Sequence, residues 1–210
     1  MQTDRIAVIL LAAGQSTRFG SQKLQHRLPN GNTLLATTLA QYQAVFTNVT
    51  VVVNESTQTA LAHSITQANG SIKTVLSTTS EKNIINGMSQ SLIAGVKSQA
   101  SADAWLIALA DMPYIKSNTL QRLAEPATAH NIVVPVIKHN DKQASQRGNP
   151  VIFGHDFKQD LLSLSGDVGA RQVINTHSQA LVKVAVDDLG VLHDIDTPSD
   201  IKPFNKDRDF

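Results

Sequence analysis

Ile6-Ala7-Val8-Ile9-Leu10-Leu11-Ala12-Ala13-Gly14-Gln15-Ser16-Thr17-Arg18-Phe19-Gly20-Ser21-Gln22-Lys23 decides the reading of this chain. Its apolar first half reads as a buried strand that ends in small residues and enters a tight loop. Such a loop turns several backbone N–H groups to one side, and that concavity suits a phosphate chain. Arg18 adds a planar fork of donors and Lys23 a compact point charge. Neither Gly-x-x-x-x-Gly-Lys-Ser/Thr nor Gly-x-Gly-x-x-Gly is present. The residues alone leave two readings open: a phosphate loop, or a glycine turn with two solvated cations.

Outward from this stretch, strand-like runs alternate with helix-like ones. Val49–Val53 is a second buried strand. Between the two, Leu35, Leu39, Tyr42 and Phe46 share one helix face over Leu34 to Phe46. Ser56 to Ala68 predicts a helix with Ser56 as its cap, and Ser71 to Leu76 a short strand. Gly87, with Met88, Leu92 and Val96, starts another helix. Ala104 to Ala110 is the most continuous strand, and a helix over Ser117 to Ala124 follows. Pro135 marks Ile132 to Ile137 as an edge strand or a bulge. Val151–Phe153 and Leu181–Val186 complete the strands. The alternation predicts one α/β domain over residues 1–210, a doubly wound, mostly parallel sheet with helices on both faces. Ligands of such sheets bind outside the carboxyl ends of the strands, where the Gly14 loop lies.

The chain has 210 residues, 18 Lys and Arg against 17 Asp and Glu, and a formal net charge of +1. That balance argues against nucleic acid as a partner. The absence of cysteine removes disulfides, thiolate catalysis and Cys-ligated metals. The N-terminal apolar run is too short for a bilayer, so the expected location is the cytoplasm, with no membrane partner. The polar tail over 203–210 is expected to fray.

Polar residues gather at the predicted loops. Asp111 directly follows the most continuous strand. It is either a turn carboxylate before Pro113 or a group facing the crevice. Asp196 precedes Thr197-Pro198, which resembles a helix start with proline at the first position. It either caps that helix or faces the crevice. Gly87-Met88-Ser89-Gln90-Ser91 opens a helix whose N–H groups and hydroxyls suit a phosphate or a base edge, and equally suit an ordinary helix start. Gln146-Arg147-Gly148-Asn149-Pro150 and Ser165-Gly166-Asp167-Val168-Gly169-Ala170-Arg171 are glycine-containing loops. Each carries an arginine, as an anion site or an ordinary surface loop would. The seven histidines form no His-x-x-x-His pair, and His193 reads as structural. No Gly-x-Ser-x-Gly elbow is present.

Leu11-Ala12-Ala13-Gly14-x-Ser16-x-Arg18-Phe19-Gly20-x-x-Lys23 resembles the signature of nucleotidyltransferases with a GT-A-type Rossmann-like fold. Five further stretches resemble motifs of the molybdenum cofactor cytidylyltransferases within that superfamily. They are Gly87-Met88-Ser89-x-Ser91-Leu92, Asp111-Met112-Pro113, Arg147-Gly148-Asn149-Pro150-Val151, Gly166-Asp167-x-Gly169-Ala170-Arg171 and Asp194-Ile195-Asp196-Thr197-Pro198. They occur in the family's order and reach from residue 8 to residue 200. Ala110 and Gln90 depart from the pattern, and Gln90 bears on base recognition.

The resemblance implies transfer of CMP from CTP to the phosphate of the molybdenum-bearing pterin cofactor, with pyrophosphate released. Ala13-Gly14, where guanylyltransferases usually carry Gly-Gly, points to cytosine. By the same resemblance Arg18, Lys23 and Asp111 are catalytic. Leu11, Ala12, Ala13, Gly14, Ser16, Gly87, Ser89 and Ser91 join them in binding the nucleotide. Arg147, Gly148, Asn149, Pro150, Gly166, Asp167, Gly169 and Arg171 bind the acceptor. Asp111 and Asp196 hold Mg²⁺, which takes one or two carboxylates plus substrate phosphates. Partners are CTP, a molybdopterin-type cofactor and, in transient contact, a molybdenum-dependent oxidoreductase. Alternatives are another phosphorylated acceptor such as a sugar or polyol phosphate, GTP in place of CTP, and a binding protein that carries the cofactor.

Overall fold

The computed structural model describes residues 2–14, 19–66, 72–77, 87–138, 145–166 and 169–201. In chain order the elements are β1 (Ile6–Leu11), α1 (Leu34–Gln43), β2 (Val49–Val53), α2 (Glu55–Thr66), β3 (Ile72–Leu76), α3 (Met88–Ser98) and β4 (Ala104–Leu109). Then come α4 (Ser117–Ala124), β5 (Ile132–Lys138), β6 (Ser145–Arg147), β7 (Val151–Gly154), α5 (Lys158–Leu162), α6 (Arg171–Thr176) and β8 (Leu181–Val186). The strands form one sheet in the order β3-β2-β1-β4-β7-β5-β6, with β8 paired to β5. β1 is parallel to β2 and β4, β2 to β3, and β5 to β8. β7 runs antiparallel between β4 and β5, and β6 antiparallel to β5. This is the mostly parallel α/β sheet that the alternating runs predict.

Residues Ile6 to Leu10 are wholly buried because β1 has helices on both faces. Ile6, Val8 and Leu10 pack with Leu35 and Leu39 of α1 and Leu120 and Leu123 of α4. Ala7 and Ile9 point the other way, to Leu92 and Val96 of α3, Leu161 of α5 and Val173 of α6. A strand covered on both sides reads as an unbroken apolar run. Each such Val, Leu or Ile contributes about 1.5–3 kcal/mol by leaving water. At Gly95 a Cβ would collide with Ile9 Cγ2, so glycine lets α3 meet β1.

Four local expectations need correction. β5 is interior, not an edge. Its antiparallel neighbour is β7 at Ile132 and Val133 and β6 at Val136 to Lys138. Pro135 falls at the break between them, where the missing N–H costs no ladder bond on that side, and its carbonyl accepts from the Gly148 N–H. α1 ends at Gln43 rather than Phe46, although Phe46 is still buried. α2 is capped by Asn54, not Ser56: Asn54 Oδ1 accepts from the Thr57 N–H, and Thr57 Oγ1 from the Asn54 N–H. Gln146 and Arg147, expected as loop, belong with Ser145 to β6. The tail expected to fray lies outside the described residues.

Candidate active site

The β1–β4 register sets Leu11 beside Leu109. The chain therefore leaves both strands at the same sheet edge, into Ala12-Ala13-Gly14 on one side and Ala110-Asp111 on the other. The Ala12 N–H donates to Val52 O, and Asn54 Nδ2 to Ala13 O at 2.6 Å. Ser16 and Arg18 lie outside the described residues. The chain returns through buried Phe19, glycine at φ +75° at position 20, and buried Leu24, which anchors the short turn Lys23–Gln25.

Lys23 is the centre of the site. Its Nζ donates to Asp111 Oδ2 at 2.7 Å, to the Ile195 carbonyl at 2.9 Å and to Asp196 Oδ1 at 3.1 Å. These partners lie 88, 172 and 173 residues away in sequence. The structure brings both carboxylates to one ammonium. Lys23, expected on a triphosphate, is committed here to the two carboxylates. Burial disfavours its charge, but Asp111, joined by Asp196, outweighs burial and holds the ammonium above its ordinary value. Burial drives the Asp111 carboxyl above its ordinary value; Lys23 opposes this, and nearby Asp194 adds to it. The two directions agree, because one ammonium serves two carboxylates while Asp111 is almost enclosed. Asp111 Oδ1 is shut from solvent and finds no hydrogen-bond partner among the described residues.

The backbone around the carboxylates is fixed. The Ala110 N–H donates to Leu11 O, the Thr38 hydroxyl to Ala110 O at 3.0 Å, and the Ile195 N–H to Asp111 O at 2.9 Å. Asp196 does not cap a helix. Thr197 does, and the element is a single 3₁₀ turn, Pro198–Asp200. Asp200 Oδ2 accepts from the N–H groups of Asp196 and Thr197 and from the Thr197 hydroxyl. The Thr197 bonds hold the Asp200 carboxyl below its ordinary value. His193, expected to be structural, places its Nε2 on the Asp200 carbonyl and its ring against Tyr114. Asn54, Thr38 and Asp200 were not singled out in the sequence. Only Asp200 carried a signal, the Thr-x-x-Asp spacing of a capping box.

Leu11 and Leu109 also floor a cavity of about 640 Å³, whose walls include Met88, Arg147, Asn149 and Arg171. Gly148 and Gly169 line it too, so five of the expected acceptor residues share one space. A Cβ at Gly148 would collide with the Val191 carbonyl, which also accepts from the Asn149 N–H. Burial, aided by the like charge of Arg171, lowers the Arg147 guanidinium from its ordinary value. Arg147 and Arg171 thus place two guanidiniums on the wall of one cavity. Ser89 and Gly166 bond to each other: the buried Ser89 hydroxyl donates to the Gly166 carbonyl. Ser91 Oγ lies 3.3 Å from Ser77 Oγ. Asp167 is outside the described residues. Among the described residues no three His, Cys, Asp or Glu side chains form a metal cluster, and no helix is long and apolar enough to cross a membrane.

Residues 8–181 match the MobA-like NTP transferase domain. No curated protein matches in sequence. Among solved structures, a 4-diphosphocytidyl-2C-methyl-D-erythritol synthase from Anaerococcus prevotii is 15% identical. It has a TM-score of 0.73, with 95% of this chain and 93% of that one covered. A nucleotidyl transferase from Methanothermobacter is 22% identical with a TM-score of 0.72, and 93% of each chain is covered. Rv0371c from Mycobacterium tuberculosis H37Rv, in complex with manganese, is 23% identical with a TM-score of 0.66, and 93% and 95% of the two chains are covered. These likenesses carry the fold.

Proposed function

The chain belongs to the family of MobA-like NTP transferase domains, and from that premise we propose that it transfers CMP from CTP to the phosphate of the molybdenum-bearing pterin cofactor, in one domain over residues 1–210. The observation that carries the reading is the meeting of Asp111 and Asp196 on one ammonium, at the sheet edge where the cavity with its two arginines also lies. A phosphate oxygen of the acceptor forms a bond to the α-phosphorus of CTP. The bond from that phosphorus to the bridging oxygen breaks, and pyrophosphate leaves with the electron pair. The acceptor phosphate is ionised near neutral pH, so the chain needs no strong base. Its task is alignment and charge.

Arg18 is assigned to the triphosphate, joined by Lys23 once a metal ion takes its place between the two carboxylates, and the Arg147 and Arg171 loops to the acceptor. Asp111 and Asp196 are hard oxygen donors in the number Mg²⁺ takes from protein, and they already meet on one cation, the Lys23 ammonium. When bound there, the ion would neutralise phosphate oxygens. Ala13 before Gly14 supports cytosine, as does a diphosphocytidyl-product synthase among the structural neighbours. The product is expected to pass in the cytoplasm to a molybdenum-dependent oxidoreductase. Thermal shifts with CTP, GTP, ATP and UTP, each with Mg²⁺, test the nucleotide half. A ligand at a hundredfold excess over its Kd adds about 2.7 kcal/mol. CTP should stabilise most; equal or greater stabilisation by GTP overturns the cytidylyl assignment. Pyrophosphate release on adding the pterin cofactor tests the acceptor half, and no release overturns it.

A further inference from the structure

We infer that Tyr42 is a positioning residue for Asp111, its hydroxyl passing a hydrogen bond to Oδ1 through one buried water. α1 turns two polar side chains, at positions i and i+3, onto the segment that carries Asp111. Thr38 donates to the Ala110 carbonyl, and Gln41 Nε2 donates to the Pro113 carbonyl. Tyr42 stands one turn beyond Thr38 and is 1% exposed. Among the described residues the buried side-chain atoms without a partner are Gln41 Oε1, Tyr42 Oη and Asp111 Oδ1. Gln41 and Asp111 belong to this one contact, and Tyr42, on the same helix, lies close enough for the charge of Asp111 to act on its phenol. A buried hydroxyl left unpaired costs about 1–3 kcal/mol, and a water with polar neighbours on two sides removes that cost. Burial, and after it the charge of Asp111, keeps the Tyr42 phenol protonated and therefore a donor. The water then donates to Oδ1, so that the carboxylate is held from behind while Oδ2 is held by Lys23.

The test is a double-mutant cycle by urea unfolding of the full chain with Y42F, D111A and both. A true orphan hydroxyl predicts that Y42F stabilises the protein. A bridged hydroxyl predicts that Y42F raises the unfolding equilibrium constant by about threefold to tenfold, and has almost no effect in the D111A background. Stabilisation by Y42F, or an equal cost in both backgrounds, overturns the inference. Should D111A not fold, the sign of the Y42F effect alone decides. This arm does not depend on the proposed reaction. A second arm rests on that reading: Mn²⁺ affinity in the presence of CTP should fall about threefold to tenfold in Y42F. Unchanged affinity overturns the positioning role, whereas no Mn²⁺–CTP binding by the unaltered protein overturns the proposed reaction and leaves the cycle to stand.

Discussion

Replacing Lys23 with methionine keeps the length and packing of the side chain and removes its charge. Lys23 is 14% exposed, Asp111 19% and Asp196 42%. Removing one partner of a buried ion pair costs about 3–5 kcal/mol, while an exposed pair is worth about 1 kcal/mol or less. The Asp111 arm is of the first kind and the Asp196 arm nearer the second. Asp111 is also partly open to water, which relieves part of the penalty. The expected loss for K23M is therefore about 2–3 kcal/mol in urea unfolding at neutral pH with a chelator present. At about 2–4 °C per kcal/mol, the melting temperature falls by about 4–12 °C. Adding Mg²⁺ should restore more stability to K23M than to the unaltered protein, because the ion then meets two carboxylates without a competing ammonium. The double variant K23M/D111N should recover most of the loss even with the chelator. K23M within about 0.5 kcal/mol of the unaltered protein would refute this account, because a solvated pair costs no more than that.

Asp111 sets a pH dependence with a defined sign. Its carboxyl stands above the ordinary 3.8 in the fold, so the folded chain holds this proton where the unfolded chain has released it, and its contribution to stability declines as pH rises through that window. D111N should therefore gain on the unaltered protein as pH rises above the ordinary carboxylate range in thermal melts, and a gain largest in acid contradicts the assignment. Gly95→Ala should lower stability by about 1–3 kcal/mol in urea unfolding. The collision with Ile9 exceeds the roughly 1 kcal/mol that alanine returns in helix propensity, and a stabilised variant shows that α3 can slide. Arg147→Ala should raise KM for the acceptor about 10- to 150-fold and leave KM for CTP unchanged in a pyrophosphate-release assay, from the worth of one charged hydrogen bond at about 1.5–3 kcal/mol. A change in the CTP value instead would move Arg147 to the nucleotide half.

The parts of the fold that were legible are those with a local cause. β1, β2 and β4 are buried on both faces and so appear as continuous apolar runs. Asp111 was legible because it follows such a run at once. β6 was not: Ser145-Gln146-Arg147 is polar and becomes a strand only because the end of β5 needs a partner. Pro135 misled because its cost depends on which neighbour stands opposite, a property of the sheet and not of the tripeptide. The site divides the same way. The charge of Lys23 can be read from the chain, but not that its partners wait 88 and 173 residues away. Thr38 and Tyr42 look like ordinary residues of an amphipathic helix, and only the packing of α1 on residues 110–113 gives them a task.

The reversal of β7 has a consequence for how such a protein can change. Because β7 runs against β4 and begins opposite Ile107, the loop 148–150 emerges at the same rim as Gly14 and Asp111. Were β7 parallel, that loop would open on the far side of the molecule. The two halves of the cavity thus come from separate pieces of chain. One hangs from β1 and β4. The other is tied to the Pro135 and Val191 carbonyls through the N–H groups of Gly148 and Asn149. Side chains of the second piece that face the cavity, such as Arg147, can be exchanged without altering the first piece, so the two walls are free to change separately.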